Sequence, residues 1–132
     1  MHILVAEDDR VSLMLLEAHL GRLNHTFVST RNGRELLDTF TKSPNAYDVV
    51  ITDVMMPFMN GLEAIREIKK INNIVSVATT ACDQETKVID NKGVYIPWSI
   101  CDFFLRKPFK KDNIKSILQE IEYENYIKSK GA

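Results

Sequence analysis

With 132 residues and a formal net charge of -1, the chain has the size of a single domain, residues 1–132, and lacks the basic footprint of a nucleic-acid binder. Its 45% hydrophobic and 27% charged residues are those of a globular protein rather than a disordered one. No apolar run approaches the ~20 residues of a bilayer span, the start lacks a basic-then-apolar signal layout, and Cys82 and Cys101 form no CxxC pair. Two reduced thiols in a cytoplasmic protein are therefore expected.

His2–Ala6 reads as a short apolar strand, and it stops at Glu7-Asp8-Asp9 because three consecutive acids do not belong in a buried strand. Residues 11–23 then carry Leu13, Leu16, Leu20 and Leu23 at helical spacing, with Ser12 near the start as a cap. Thr26–Thr30 is a second strand, short and polar at both ends. Asn32-Gly33 punctuates the chain, Leu36, Leu37 and Phe40 mark a second helix, and Ser43-Pro44-Asn45 ends it. In residues 48–52 the run Val49-Val50-Ile51 suits a parallel strand buried on both faces. Asp53 stands at its end; Met55, Met56 and Pro57 follow as a loop, and Gly61 marks the turn into a third helix bearing Leu62, Ala64, Ile65 and Ile68.

Asn72-Asn73 stops that helix, and residues 74–79 form a fourth strand followed by Thr80-Ala81. Residues 83–91 are assigned a fourth helix, although Val88 and Ile89 are its only large apolar residues. Phe103–Arg106 is a last short strand leading into Lys107-Pro108-Phe109. Asp112 caps a closing helix in which Ile114, Ile117, Leu118 and Ile121 share one face. Alternating strands and helices predict an α/β fold, a doubly wound parallel sheet with helices on both faces and right-handed crossovers.

In such a sheet all carboxyl ends lie on one edge, so Glu7-Asp8-Asp9, Asp53, Thr80 and Lys107 converge although they are remote in sequence. Taken singly, each has a bland explanation: a helix-capping aspartate, an exposed lysine, a strand-end cap, a solvated acidic loop. Together they describe carboxylates that raise one another's pKa unless a cation holds them. A hard divalent ion such as Mg²⁺, which takes one or two carboxylates and leaves positions for phosphate oxygens, answers that need. Asp53 is then a candidate carboxylate nucleophile, Glu7 and Asp8 candidate metal acids, Lys107 a point charge for phosphoryl oxygens and Thr80 a hydroxyl donor.

Ile-Leu-Val-Ala-Glu-Asp-Asp at 3–9, Asp-Val-Val-Ile-Thr-Asp-Val-Met-Met-Pro at 48–57, Gly61-Leu62, Thr80-Ala81 and Lys107-Pro108-Phe109 together resemble the response-regulator receiver domains of bacterial two-component signalling. The resemblance covers nearly the whole chain. It implies a five-stranded flavodoxin-like sheet of order 2-1-3-4-5 and a phosphorelay function: Asp53 accepts a phosphoryl group from the phosphohistidine of a histidine kinase or phosphotransfer protein, with Mg²⁺ as cofactor. It further implies metal ligation by Glu7, Asp8, Asp53 and the backbone carbonyl of Met55, catalytic roles for Thr80 and Lys107, and Thr80 and Phe104 as the switch pair. A cis Lys107-Pro108 bond, and a homodimer or target on the face of the fourth helix and fifth strand, complete the implication. Such a domain is not a turnover enzyme; at most it transfers a phosphoryl group to itself and loses it.

The chain departs from that pattern in places. Glu7 stands where many relatives have Asp, Asp9 is a third acid that could face the metal instead, and Thr79 precedes Thr80 as a second candidate switch hydroxyl. Thr80 and Lys107 are several residues further apart than usual, and Ile100 replaces a customary Gly. Within residues 93–101, Tyr95, Ile96, Pro97 and Trp98 are too apolar for a solvated loop; Pro97 limits regular helix there, and Trp98 is either core cover or an interface anchor. Two rival functions remain: an aspartate-nucleophile phosphatase, disfavoured because Met55 holds the place of its second acid, and a degenerate receiver serving as a protein-binding module, disfavoured by the intact Glu7, Asp8, Asp53, Thr80 and Lys107. No GxxxxGK or GxGxxG turn supports nucleotide binding.

Overall fold

The computed structural model describes residues 1–81, 84 and 86–131. Five parallel strands form the central sheet in the order β2-β1-β3-β4-β7: β1 His2–Ala6, β2 Thr26–Thr30, β3 Val49–Asp53, β4 Val75–Thr80 and β7 Phe103–Arg106. This is the expected doubly wound arrangement, with β7 as the fifth strand of the sheet. Alternation of side chains along the strands divides the core in two. Ile3, Val5, Val49, Ile51, Val77 and Leu105 face one side, where α1 (Arg10–Arg22) covers them with Leu13, Leu16 and Leu20, and α4 (Lys111–Gly131) with Ile114, Leu118 and Ile121. Leu4, Ala6 and Val50 face the other, under Leu36 and Phe40 of α2 (Gly33–Lys42) and Ala64 and Ile68 of α3 (Gly61–Ile71).

Two helix starts differ from expectation. Asp9, not Ser12, is the N-cap of α1: its carboxylate accepts the Ser12 N–H at 2.8 Å. Asp112 lies in the first turn of α4 rather than at its cap, where its negative charge still suits the helix dipole.

The larger correction lies between β4 and β7. No helix occupies residues 83–91 among the described residues, and Asp83 and Glu85 fall outside them. Instead β5 (Val88–Ile89) pairs antiparallel with β6 (Tyr95–Ile96), and a single 3-10 turn, Trp98–Ile100, leads to β7. Gly93 makes the hairpin turn at φ 80°, a conformation side chains resist. The Asp90 carboxylate accepts the backbone N–H groups of Lys92 and Val94, which fixes the turn from within.

The hairpin is fastened to α3 by three polar contacts. Asn60 Nδ2 donates to Ile89 O at 2.8 Å, Arg66 pairs with Asp90 at 2.9 Å, and Asn91 N–H donates to Glu63 Oε2 at 3.3 Å. Val88 and Ile96 point inward and join Leu62, Ile65, Ala78 and Trp98 in a third apolar cluster, whereas Ile89 and Tyr95 face solvent. Trp98 is 6% exposed and packed in this cluster, which favours the core-cover reading over the interface anchor. Cys101 is a buried free thiol in the same cluster, its pKa pushed up to about 12 chiefly by burial. Among the described residues no helix is long and apolar enough to cross a membrane.

Candidate functional site

The carboxyl edge of the sheet gathers the acids that the sequence scattered. β1 ends at Ala6 and delivers Glu7 and Asp8; β3 ends at Asp53; ligand oxygens of the three lie within 4.8 Å of one another. Glu7 is fully enclosed, Asp53 is 7% exposed and Asp8 is open to solvent. Asp9 is not part of the group. Its carboxylate is committed to capping α1, and the Ser12 backbone N–H, followed by the Ser12 side chain, holds its pKa below the usual carboxylate range.

Lys107 follows β7, and its backbone N–H donates to Thr80 O at 2.9 Å, which ties the lysine to the end of β4. Its ammonium contacts Glu7 Oε1 and lies 3.3 Å from Asp53 Oδ2. Lys107-Pro108 is cis, as the resemblance implied. Burial works against the charge on Lys107, but the Glu7 hydrogen bond and the Asp53 charge outweigh it and leave the lysine pKa raised. Asp53 is pushed up to about 7, by burial first and then by the charge of Glu7, with Lys107 offsetting only part. Two carboxylates and one ammonium at this spacing are under-neutralised, and the third acid, Asp8, adds to the deficit. The donor set therefore fits a hard divalent cation.

Two backbone features of the site were not legible beforehand. Val54 N–H donates to Asp53 Oδ1 at 2.9 Å and fixes that carboxylate, while Val54 N also lies 3.3 Å from Thr79 O. Gly61 is more than a turn residue, since its N–H donates to Val54 O at 2.8 Å and a Cβ there would lie 1.9 Å from the Asp53 carbonyl oxygen. The signal was a glycine soon after the aspartate, at the first position of α3. Arg31, unassigned from the sequence, donates to the Asp8 carbonyl at 2.9 Å and adds a cation to the rim.

Thr79 is in register with Asp53 inside the ladder, and Thr80 is the last residue of β4, at the edge itself. Phe104 is not in the acid cluster. It pairs in register with Ala78 and lies 6.2 Å, ring to ring, from Trp98.

A doubly wound parallel sheet with clustered carboxylates and one lysine at its carboxyl edge defines an α/β domain whose charged groups gather where such sheets bind ligands. The profile described as "Response regulator receiver domain" matches residues 3–119, and the chain belongs to that family. It is 27% identical over its full length to the two-component response regulator ARR12 of Arabidopsis thaliana, of which it spans only 21%. The receiver domain of a Clostridium thermocellum response regulator superposes with a TM-score of 0.78 at 26% identity, covering 96% of this chain and 97% of that one. The response regulator TrrA of Thermotoga maritima, solved in complex with Mg²⁺ and BeF, superposes with a TM-score of 0.76 at 26% identity, covering 91% of this chain and 97% of that one. The chain is thus a receiver domain of two-component phosphorelay signalling.

Proposed function

We propose that residues 1–132 act as one phosphoacceptor unit in which Asp53 takes a phosphoryl group from the phosphohistidine of a histidine kinase or phosphotransfer protein in the cytoplasm. The observation that carries this reading is the joint placement of Glu7, Asp8 and Asp53, oxygens within 4.8 Å, under the ammonium of Lys107. A carboxylate oxygen of Asp53 forms the new bond to phosphorus as the phosphorus–nitrogen bond of the donor breaks, and the histidine nitrogen leaves with the electron pair. Val54 N–H holds the carboxylate in orientation while Lys107 supplies positive charge to the phosphoryl oxygens.

Glu7, Asp8, Asp53 and the Met55 carbonyl would hold Mg²⁺, whose charge when bound neutralises phosphoryl oxygens. TrrA, which carries Mg²⁺ with BeF, supports that cofactor. Thr80 serves as the hydroxyl that reaches the transferred group, with Phe104 as its switch partner. The surface that changes is built from β7, the 3-10 turn and the β5–β6 hairpin, in place of the fourth helix expected there. Targets or a second copy engage that surface.

Incubation with Mg²⁺ and a small phosphodonor such as acetyl phosphate is expected to add one phosphoryl group to the intact protein, read by mass, and none to Asp53→Asn. Equal labelling of Asp53→Asn refutes the assignment. Continuous phosphate release without a labelled species would instead favour the phosphatase reading.

A further inference from the structure

Of the three acids gathered at the carboxyl edge of the sheet, two are already engaged by the protein. Glu7 Oε2 accepts the Asp9 N–H at 3.2 Å and its other oxygen contacts the Lys107 ammonium. Asp53 Oδ1 accepts the Val54 N–H at 2.9 Å, and Oδ2 lies 3.3 Å from the same ammonium. The exposed carboxylate of Asp8 has neither a hydrogen bond nor an ion pair among the described residues. What holds Asp8 is its backbone, since Arg31 Nη2 donates to the Asp8 carbonyl at 2.9 Å. The arginine is firmly rooted on both sides. It follows Thr30, the last residue of β2, whose carbonyl accepts the Glu7 N–H at 3.1 Å and whose hydroxyl donates to Val5 O at 2.7 Å. It precedes Asn32, the N-cap of α2, whose side chain accepts the Glu35 N–H at 2.8 Å.

We propose that Arg31 is a positioning residue for the divalent cation: by gripping the Asp8 carbonyl it fixes the loop between β1 and α1 and keeps the free Asp8 carboxylate within reach of Glu7 and Asp53. The inference rests on the metal-site reading and adds to it a residue after β2, a strand that contributes no ligand. A guanidinium paired with the Asp8 carboxylate would compete with a cation for the same oxygens; bonded to the carbonyl, it leaves both available. Loss of that bond frees the Asp8 peptide between two ends that stay fixed, Glu7 on the Thr30 carbonyl and Asp9 at its Ser12 cap. A cation then has to order the loop as it binds, and its affinity falls accordingly. Charge alone gives the opposite sign, because deleting a positive side chain beside a cation site tightens cation binding. The direction of the effect therefore separates positioning from simple electrostatics.

The test is calorimetric titration with Mg²⁺ alone, without a phosphodonor, at about 0.15 M salt, where a Debye length of about 8 Å damps the charge effect. Arg31→Met, which keeps the apolar stem and removes the donors, is expected to weaken Mg²⁺ binding roughly 2–10-fold, the factor corresponding to one net hydrogen bond. Arg31→Lys keeps a donor for the carbonyl and is expected to recover to within about 2-fold of wild type. In an Asp8→Asn background, titrated over a higher Mg²⁺ range, Arg31→Met is expected to have no further effect, since the carboxylate it positions is gone. Unchanged or tighter binding by Arg31→Met overturns the proposal, and so does an equal loss in the Asp8→Asn background. Should the urea midpoint of Arg31→Met drop, Arg31→Gln, polar and uncharged, replaces it under the same criteria. If wild type binds no Mg²⁺, or Asp8→Asn binds it as well as wild type, the metal-site reading fails and takes the proposal with it; if wild type binds and Arg31→Met matches it, the positioning role alone fails.

Discussion

Gly61→Ala adds a single methyl group at the first residue of α3, yet it meets the backbone that carries Asp53. The new Cβ would stand 1.9 Å from the Asp53 carbonyl oxygen and 2.9 Å from its carbon, where ordinary contact begins at 3.4 Å. The helix start and the strand end must therefore separate by about 1.5 Å, and neither is a flexible side chain that can swing away. Overpacking of this kind costs about 1–3 kcal/mol, and rigid backbone on both sides puts the expectation at the upper end. Gly21→Ala provides the opposite sign in the same molecule. Nothing lies within 4 Å of its Cβ, and Gly21 is inside α1, so alanine stabilises by about 0.5–1 kcal/mol through lower backbone entropy in the unfolded chain. Urea denaturation followed by the fluorescence of buried Trp98 measures both. Displacing Asp53 by this much should also slow labelling by a small phosphodonor by about 10²-fold. A Gly61→Ala protein within about 0.5 kcal/mol of wild type, the range of surface substitutions, would refute the close-approach argument.

Asp9→Ala should lower the urea midpoint by removing the α1 cap while leaving Mg²⁺ affinity, measured by titration, unchanged; a clear loss of affinity would put Asp9 among the ligands. Asp90 carries a pKa lowered by the Val94 backbone N–H first and the Arg66 side chain next. The sign follows from proton linkage: a depressed carboxylate contributes stability above its ordinary value near 3.8 and loses it as pH falls through the lowered value. The stability difference between wild type and Asp90→Asn should therefore shrink in that acid window, and parallel curves would remove Asp90 from the account.

Much of the fold was open to sequence reasoning because its signals are local. Val49-Val50-Ile51 could be little else than a buried parallel strand, and once the five strands were parallel the meeting of Glu7, Asp8, Asp53 and Lys107 followed from topology. The fourth helix failed for a reason visible in hindsight. Val88 and Ile89 are adjacent, one inward and one outward, and Tyr95 and Ile96 mirror them across the turn at Gly93; that is a period of two, not of 3.6. Asp9 was undecidable from sequence, since a third acid after a strand serves equally as a ligand or as a cap until the helix start is fixed. Gly61 was read as punctuation because nothing along the chain reports how closely two backbones approach.

The β5–β6 ladder is two residues long on each side, and an isolated two-stranded ribbon of that size has little stability of its own in water. Its persistence depends on Val88 and Ile96 in the core and on the three contacts to α3. Such a segment opens as a unit at a free energy below that of global unfolding, so its amides exchange with solvent sooner than those of β1, β3 and β4. The β5–β6 hairpin is in that sense a separate cooperative element, a part of this domain that can be undone while β3 stays folded.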